Sequence, residues 1–304
     1  MLRLPAMTPD QARARLRGSI VPMVSPFRDG RLDEQGLRGL IDWQIASGSH
    51  GISVAGTTGE PSALTPDERE RLIAVAVEQV AGRVPMLAGT GSNNLEETLR
   101  FTRFAQAHGA DAVLVIVPYY NRPSQEGMYR HFATVAAATT LPLVIYNIPG
   151  RTAANMEPAT MARLRRDHPN VVGVKEANVD MQHVSRVLAE CGRDFLVYSG
   201  IEALCFPMLA LGGAGHVSAT ANVLPAEVAR LYDLCAAGQW EQARDLHYRL
   251  LPLNEVLFIE TNPGPLKFAM GALGRCAPEI RLPLCEPSPA NKAKIRSVLA
   301  QYGL

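Results

Sequence analysis

One lysine of this sequence stands at the end of an apolar run. Lys175 follows Val171-Val172-Gly173-Val174, a pattern that predicts a buried β-strand. Apolar surroundings disfavour an ammonium ion, and a lysine held there as a neutral amine can attack a carbonyl and form a Schiff base. Side-chain alternation puts Lys175 on the face of Gly173, where a missing side chain would leave space beneath it. The alternative is a lysine paired with Glu176 at a strand end.

A tyrosine closes the strand-like run that precedes Lys175. Tyr146 belongs to Leu143–Asn147, and consecutive strands of a parallel barrel are neighbours at about 4.8 Å. A phenol beside an amine can relay protons while an imine forms and breaks. A packed aromatic residue with its hydroxyl satisfied is the alternative.

Two threonines lie between glycines after an earlier apolar run, in Gly56-Thr57-Thr58-Gly59-Glu60. Their hydroxyls and the accessible backbone N–H groups of such a turn can hold a small carboxylate. A glycine-containing loop in which threonine caps a helix fits the same pattern.

Two further side chains follow predicted strands. The guanidinium of Arg151 is suited to binding a second carboxylate on a substrate in bidentate geometry, although a solvated surface arginine fits equally well. Tyr120, in Pro118-Tyr119-Tyr120-Asn121, can join a proton relay or pack in a subunit interface. Both remain candidate site residues.

Short apolar runs alternate with amphipathic stretches along the chain. Predicted strands cover Ile20–Val24, Ile52–Ala55, Pro85–Ala88, Ala112–Val117, Leu143–Asn147, Val171–Lys175, Phe195–Ser199 and His216–Ser218. Predicted helices between them include Thr65–Val80, Leu95–His108, Gln125–Ala138, Glu157–Asp167 and Val179–Glu190. Later helices are expected over Pro225–Ala237, Gln239–Leu251 and the tail Ser288–Leu304.

Eight strands that alternate with helices predict an α/β fold, a (β/α)8 TIM barrel with a small C-terminal helical domain. We place the catalytic barrel, with a short N-terminal arm or first helix, at residues 1–224 and the helical domain at 225–304. A doubly wound sheet is the competing fold, but no glycine-rich phosphate turn follows the first strand. Barrel active sites lie at the carboxyl ends of the strands, where all the candidates above fall.

Composition excludes several classes of function. The formal net charge is +1, which gives no reason to expect nucleic acid or an anionic membrane as partner, and no apolar run reaches membrane-spanning length. The five cysteines form no CxxC pair and are typical of reduced thiols in the cytoplasm. No HExxH motif and no GxSxG elbow occurs, so we expect neither a metal site nor a serine triad.

At these residues the sequence resembles the dihydrodipicolinate synthase/N-acetylneuraminate lyase family of pyruvate-dependent class I aldolases. The segments that match, in order along nearly the whole chain, are Gly56–Glu60, Pro118–Tyr129, Tyr146–Pro149, Arg151-Thr152, Gly173–Ala177, Ser199-Gly200 and Gly212–Asn222. The resemblance implies a (β/α)8 barrel, commonly a homotetramer built as a dimer of dimers, that works without a metal or an organic cofactor.

The resemblance also implies roles for individual residues. The Schiff-base lysine corresponds to Lys175, and the proton relay to Tyr146, Thr57 and Tyr120, with Tyr120 reaching into the partner subunit's site. The backbone of Thr58 would help to hold the pyruvate carboxylate. The substrate-binding set is completed by Arg151, Gly200 and Val217, of which Arg151 would bind the carboxylate of aspartate semialdehyde.

Arg151 and the Pro118–Tyr129 match favour the synthase branch of the family, which condenses pyruvate with L-aspartate semialdehyde. Gly150, Ile201-Glu202 and the Thr261–Lys267 segment depart from that branch. An aldolase or dehydratase for a 2-keto-3-deoxy sugar acid or 4-hydroxy-2-oxoglutarate is therefore an alternative, and a 2-oxo acid sensor without turnover is another. The resemblance covers the lysine-feedback site of synthases only in part. Asn93, Glu97 and Tyr119 agree, whereas Pro66 and Arg69 replace histidines found in some inhibited members, so we expect weak or absent feedback by lysine.

Overall fold

The computed structural model describes residues 7–304 of the chain as a closed barrel of eight parallel strands surrounded by helices. The strands are β1 (Gly18–Pro22), β2 (Gly51–Val54), β3 (Met86–Gly89), β4 (Ala112–Ile116), β5 (Leu143–Asn147), β6 (Val171–Glu176), β7 (Leu196–Ser199) and β8 (Gly215–His216). Each strand pairs with the next along the chain, and β8 closes on β1. The predicted (β/α)8 fold is confirmed, with strand ends shifted by two residues or fewer.

Helices connect the strands and continue after the last one. They are α1 (Pro9–Arg15), α2 (Glu34–Ala46), α3 (Pro66–Val80), α4 (Leu95–His108), α5 (Gln125–Ala137), α6 (Pro149–Thr152), α7 (Pro158–Asp167), α8 (Met181–Cys191), α9 (Cys205–Ala210), α10 (Pro225–Ala236), α11 (Trp240–Val256), α12 (Gly264–Ala272) and α13 (Pro289–Gln301). A two-stranded hairpin, Phe27–Arg28 with Arg31–Leu32, follows β1.

Polar caps fix where these helices begin. Thr65 and Glu68 form a reciprocal capping box at α3, and Asn94 accepts from the N–H of Glu97 at α4. Gly109 ends α4 in a left-handed conformation that suits glycine. Such local signals explain why α4 was predicted to the residue.

Two helices differ from the expectation for physical reasons. α11 was expected to end at Leu251, but it continues through Pro252 to Val256. The burial of its inner side, which includes Leu253, outweighs the hydrogen bond lost at the proline. α12 was not predicted. Seven of its nine residues are buried, so it shows no amphipathic period, and prolines crowd its start.

The segments before β1 and after β8 pack against the barrel. Met7, Ala12 and Leu16 pack into the barrel interior beside Ile20. The expected N-terminal arm is therefore a first helix, α1, while its residues 1–6 lie outside the described part of the chain. α10 packs on β1, and the residues after 224 are helical as expected. The division into domains at 224/225 stays a prediction.

Candidate active site

Strand register brings the two principal candidates together. Lys175 on β6 pairs in register with Tyr146 on β5 and with Tyr198 on β7. The Lys175 Nζ lies 4.2 Å from the centre of the Tyr146 ring. Lys175 is 5% exposed, and no acid between residues 7 and 304 lies within ion-pair distance of it. The side chain is therefore a buried amine without a carboxylate partner.

The alternative pairing of Lys175 with Glu176 is wrong. Glu176 points to the other face of β6, where its carboxylate accepts from Asn147 Nδ2 at 2.9 Å and lies 3.2 Å from His183 Nε2. Burial raises the pKa of Glu176, and the hydrogen bonds with His183 and Asn147 oppose that rise. Asn147 in turn bonds Asn155 at 2.8 Å. This network braces the ends of β5 and β6 from outside the barrel.

Gly173 does not leave room beneath Lys175. A Cβ at this position would lie 2.3 Å from the carbonyl oxygen of Leu196 on the neighbouring strand β7. The glycine is therefore required by close approach of two backbones. Gly200 is the glycine that makes room for the lysine, since a Cβ there would lie 2.9 Å from Lys175 Cε.

The tyrosine hydroxyl reaches the threonine turn. Tyr146 Oη lies 3.3 Å from Thr57 Oγ1, so these two members of the expected relay are in hydrogen-bond contact. Thr57–Gly59 forms one 3₁₀ turn, whose first N–H groups have no partner within the turn. Thr58 is buried, and its Oγ1 accepts from Asn262 Nδ2 at 3.1 Å.

Tyr120 is not joined to this cluster within one chain. Its side chain is 87% exposed, its φ is 72°, and its hydroxyl finds no hydrogen-bond partner between residues 7 and 304. Its expected role in a partner subunit's site stays a prediction.

A cavity of about 500 Å³ opens at this end of the barrel. It is lined by Thr57, Tyr146 and Arg151 on one side. Lys175 does not line this cavity itself, but its Nζ contacts the ring of Tyr146, which does. Val217, at the start of the loop after β8, packs in the same interior cluster as Tyr146.

Arg151 lies at the outer part of the cavity, in α6. Its Nη2 donates to the carbonyl oxygen of Asn262 at 3.2 Å, and the rest of the guanidinium is free to bind an anion. A Cβ at Gly150 would meet no atom within 4 Å, so the serine expected there would also fit. Asn262 links Arg151 to Thr58. Sequence reasoning missed this residue because it lies in the late Thr261–Lys267 segment, more than 100 positions from Arg151 along the chain.

Two other sequence features have structural explanations. Glu202 is buried, and its carboxylate accepts from the N–H of Ala219 at 2.7 Å, which holds the loop after β8. Burial raises the pKa of Glu202. His216 is fully buried, and neither of its ring nitrogens has a hydrogen-bond partner between residues 7 and 304.

Between residues 7 and 304, no helix has the length and apolar character to cross a membrane. Within the same residues, no three His, Cys, Asp or Glu side chains come together as metal ligands would.

A parallel eight-stranded barrel with a buried, unpaired lysine on its sixth strand defines the class, that of (β/α)8-barrel proteins equipped for carbonyl chemistry. The chain belongs to the dihydrodipicolinate synthetase family, whose sequence model matches residues 15–302.

Known proteins resemble the chain over nearly its whole length. The 4-hydroxy-tetrahydrodipicolinate synthase of Thermus thermophilus is 51% identical over 95% of this chain and 97% of the relative. The enzyme of the same description from Syntrophobacter fumaroxidans is 50% identical over 95% and 99%. The crystal structure of dihydrodipicolinate synthase from Aquifex aeolicus superposes with a TM-score of 0.94 at 44% identity, covering 95% and 98%.

Proposed function

We propose that the chain catalyses the reaction of a 4-hydroxy-tetrahydrodipicolinate synthase, condensing pyruvate with L-aspartate semialdehyde in lysine and diaminopimelate biosynthesis. The observation that carries this proposal is the buried Lys175 beside Tyr146, in a chain half identical to relatives described as that synthase. The enzyme is a lyase of the class I aldolase type.

The first half of the reaction forms an enamine. Lys175 Nζ attacks the C2 carbonyl of pyruvate, and loss of water leaves an imine. The hydroxyls of Tyr146 and Thr57, 3.3 Å apart, carry protons to and from the carbonyl oxygen as it leaves. The relay hydroxyls then take a proton from the methyl group, and the cationic imine accepts the electron pair left behind. Because the imine is the electron sink, these steps as written need no metal and no organic cofactor.

The second half joins the two substrates. The enamine carbon attacks the aldehyde carbon of L-aspartate semialdehyde and forms a carbon–carbon bond, while the aldehyde oxygen takes a proton from the relay and becomes a hydroxyl group. The substrate's amino group then attacks the imine carbon and displaces Lys175, which closes the ring and frees the enzyme. Arg151 binds the semialdehyde carboxylate from the cavity's outer part, while the Thr58 backbone, Gly200 and Val217 enclose pyruvate.

Arg151 and the relatives' identity support this second substrate over a 2-keto-3-deoxy sugar acid or 4-hydroxy-2-oxoglutarate. A coupled assay of purified protein with both substrates tests it directly. Formation of the cyclic product is expected. Pyruvate release from a 2-oxo sugar acid without condensation would reject the synthase assignment.

The active assembly in this proposal is a homotetramer in the cytoplasm. Tyr120, whose side chain is 87% exposed in one chain, contacts the neighbouring subunit in this assembly. Tyr120 would then complete the relay of the partner subunit. Scattered free cysteines support a reducing compartment. Sedimentation of wild type and Tyr120→Arg tests the assembly, and a wild-type monomer would contradict it.

A further inference from the structure

A second buried lysine lies next to the threonine turn. Lys267, on α12, is 0% exposed, and its Nζ lies 2.5 Å from Glu60 Oε1. Glu60 is the residue that follows the Thr57–Gly59 turn. The same ammonium lies 4.1 Å from the ring centre of Phe27. A buried ion pair thus joins helix α12 to the turn after β2.

The other carboxylate oxygen of Glu60 is also held by the C-terminal region. Glu60 Oε2 accepts from the backbone N–H of Arg281 at 3.2 Å. The Arg281 side chain then makes a bidentate pair with Glu68 on α3, with both distances 2.7 Å. Both oxygens of Glu60 are therefore fixed by residues more than 200 positions away.

Backbone strain indicates what this pairing does. Glu60 has φ 52° and ψ 45°, a left-handed conformation that a residue with a side chain adopts only when its surroundings enforce it. A buried ion pair is a poor source of net stability, because both charges lose their hydration. Its better supported use is to select one conformation. Here the ion pair selects the left-handed conformation of Glu60, the residue at which the chain leaves the turn.

The turn itself carries two site groups. Thr57 contacts the Tyr146 hydroxyl, and Thr58 is bonded by Asn262, five residues before Lys267. Asn262 and Lys267 thus contact the turn from one C-terminal segment. Asn262 bonds Thr58 at the middle of the turn, and Lys267 pairs with Glu60 at the end of the turn. A shift of that segment would move both threonines relative to Tyr146.

We propose that Glu60 and Lys267 form a positioning pair that fixes the Thr57–Thr58 turn for the carboxylate of the keto acid. The inference rests on the proposed function, since it assigns the turn to pyruvate. Neither residue touches the reacting atoms. They act through the turn, so their loss should weaken pyruvate capture more than the later steps.

The test is the double variant Glu60→Gln with Lys267→Met, which removes both charges at once and leaves no unpaired ion. We expect KM for pyruvate to rise between about tenfold and a hundredfold, because small misplacements of binding groups are costly. Borohydride trapping of the pyruvate imine should slow in parallel, while kcat at saturating pyruvate changes less than the KM. A folded variant with unchanged KM for pyruvate would overturn the proposal.

A matched control pair lies on the surface. Glu34 and Arg71 join α2 to α3 with distances of 2.5 and 2.7 Å, away from the turn. The double variant Glu34→Gln with Arg71→Met should keep the wild-type KM. An equal rise in KM in this control would show a general effect of lost ion pairs and would also overturn the proposal.

A second variant covers the case in which the first does not fold. Glu60→Asp keeps the charge but shortens the side chain by one methylene, so the turn must move to keep its partner. KM for pyruvate should again rise, and an unchanged value would contradict the inference. If wild-type protein traps no pyruvate at all, the proposed function fails instead, so the two failures are distinguishable.

Discussion

Lys175 and Tyr146 occupy matching positions on neighbouring strands, and the Lys175 Nζ lies 4.2 Å from the centre of the tyrosine ring. The Tyr146 hydroxyl lies 3.3 Å from Thr57 Oγ1. The pair therefore combines a nucleophile with a proton path toward the cavity. The nucleophile, the proton path and the substrate-binding groups can each be altered separately.

Tyr146→Phe tests the proton relay. The variant keeps the buried ring and its packing on Lys175 but lacks the hydroxyl that contacts Thr57. We expect the rate of imine formation to fall between about a hundredfold and ten-thousandfold, the range of general acid–base catalysis, with little change in melting temperature. Stopped-flow measurement of imine formation checks this. A rate within a factor of about two of wild type would show that the hydroxyl carries no proton.

Arg151→Met tests recognition of the second substrate. Loss of a charge-assisted hydrogen bond at a partly exposed site should raise KM for L-aspartate semialdehyde about tenfold. KM for pyruvate should change much less, because Thr58 keeps its own hydrogen bond to Asn262 Nδ2 when the bond from Arg151 to the Asn262 carbonyl oxygen is lost. Arg166→Met, a surface arginine paired with Asp167, is the control. A rise in the pyruvate KM alone would contradict the assignment of Arg151.

From the surroundings of Arg69 we predict that free L-lysine does not inhibit the reaction. Its guanidinium donates to the carbonyl oxygens of Gly89 and Gly91 at 2.8 and 3.0 Å and stacks over Phe101 at 4.3 Å. Burial lowers the pKa of Arg69 to about 10, so it stays cationic at neutral pH. It lines the same cavity as Glu97 and would repel an ammonium group there. Millimolar L-lysine should leave the initial rate unchanged, and inhibition at micromolar concentration would contradict this.

His216 predicts a loss of stability in acid. Burial lowers the pKa of His216 to about 4 from 6.5, so the folded chain resists its protonation. Below pH 6.5 the unfolded chain binds a proton at His216 that the folded chain does not. The free energy of unfolding therefore keeps its full value above pH 6.5 and falls by about 3 kcal/mol as the pH drops toward 4. In His216→Leu the free energy of unfolding, measured with urea, should lack this component. The difference between variant and wild type should therefore change with pH, and parallel pH curves would contradict it.

The barrel and the lysine–tyrosine pair could be predicted because their signals are local. Apolar runs of strand length predicted β5 and β6. Because consecutive strands of such a barrel are neighbours, Tyr146 was expected beside Lys175, and the two residues do pair in register. Tyr146 and Lys175 were therefore correctly expected together from sequence order alone.

Long-range contacts escaped prediction. Asn262 bonds Thr58 across 204 positions, and no local pattern marks such a contact. Lys267 did leave a signal, since it is one of four lysines and lies in the apolar stretch Leu266–Met270. Gly173 was explained wrongly, because the sequence does not show how closely Leu196 on the next strand approaches.

Covalent capture of pyruvate is the decisive test of the Schiff-base mechanism. Wild-type protein incubated with pyruvate and reduced with borohydride should carry one added three-carbon fragment, located by peptide mass spectrometry at Lys175. Lys175→Met should carry none under the same conditions. An unmodified Lys175 in the wild type, or a fragment at Lys267, Lys292 or Lys294 instead, would contradict that mechanism.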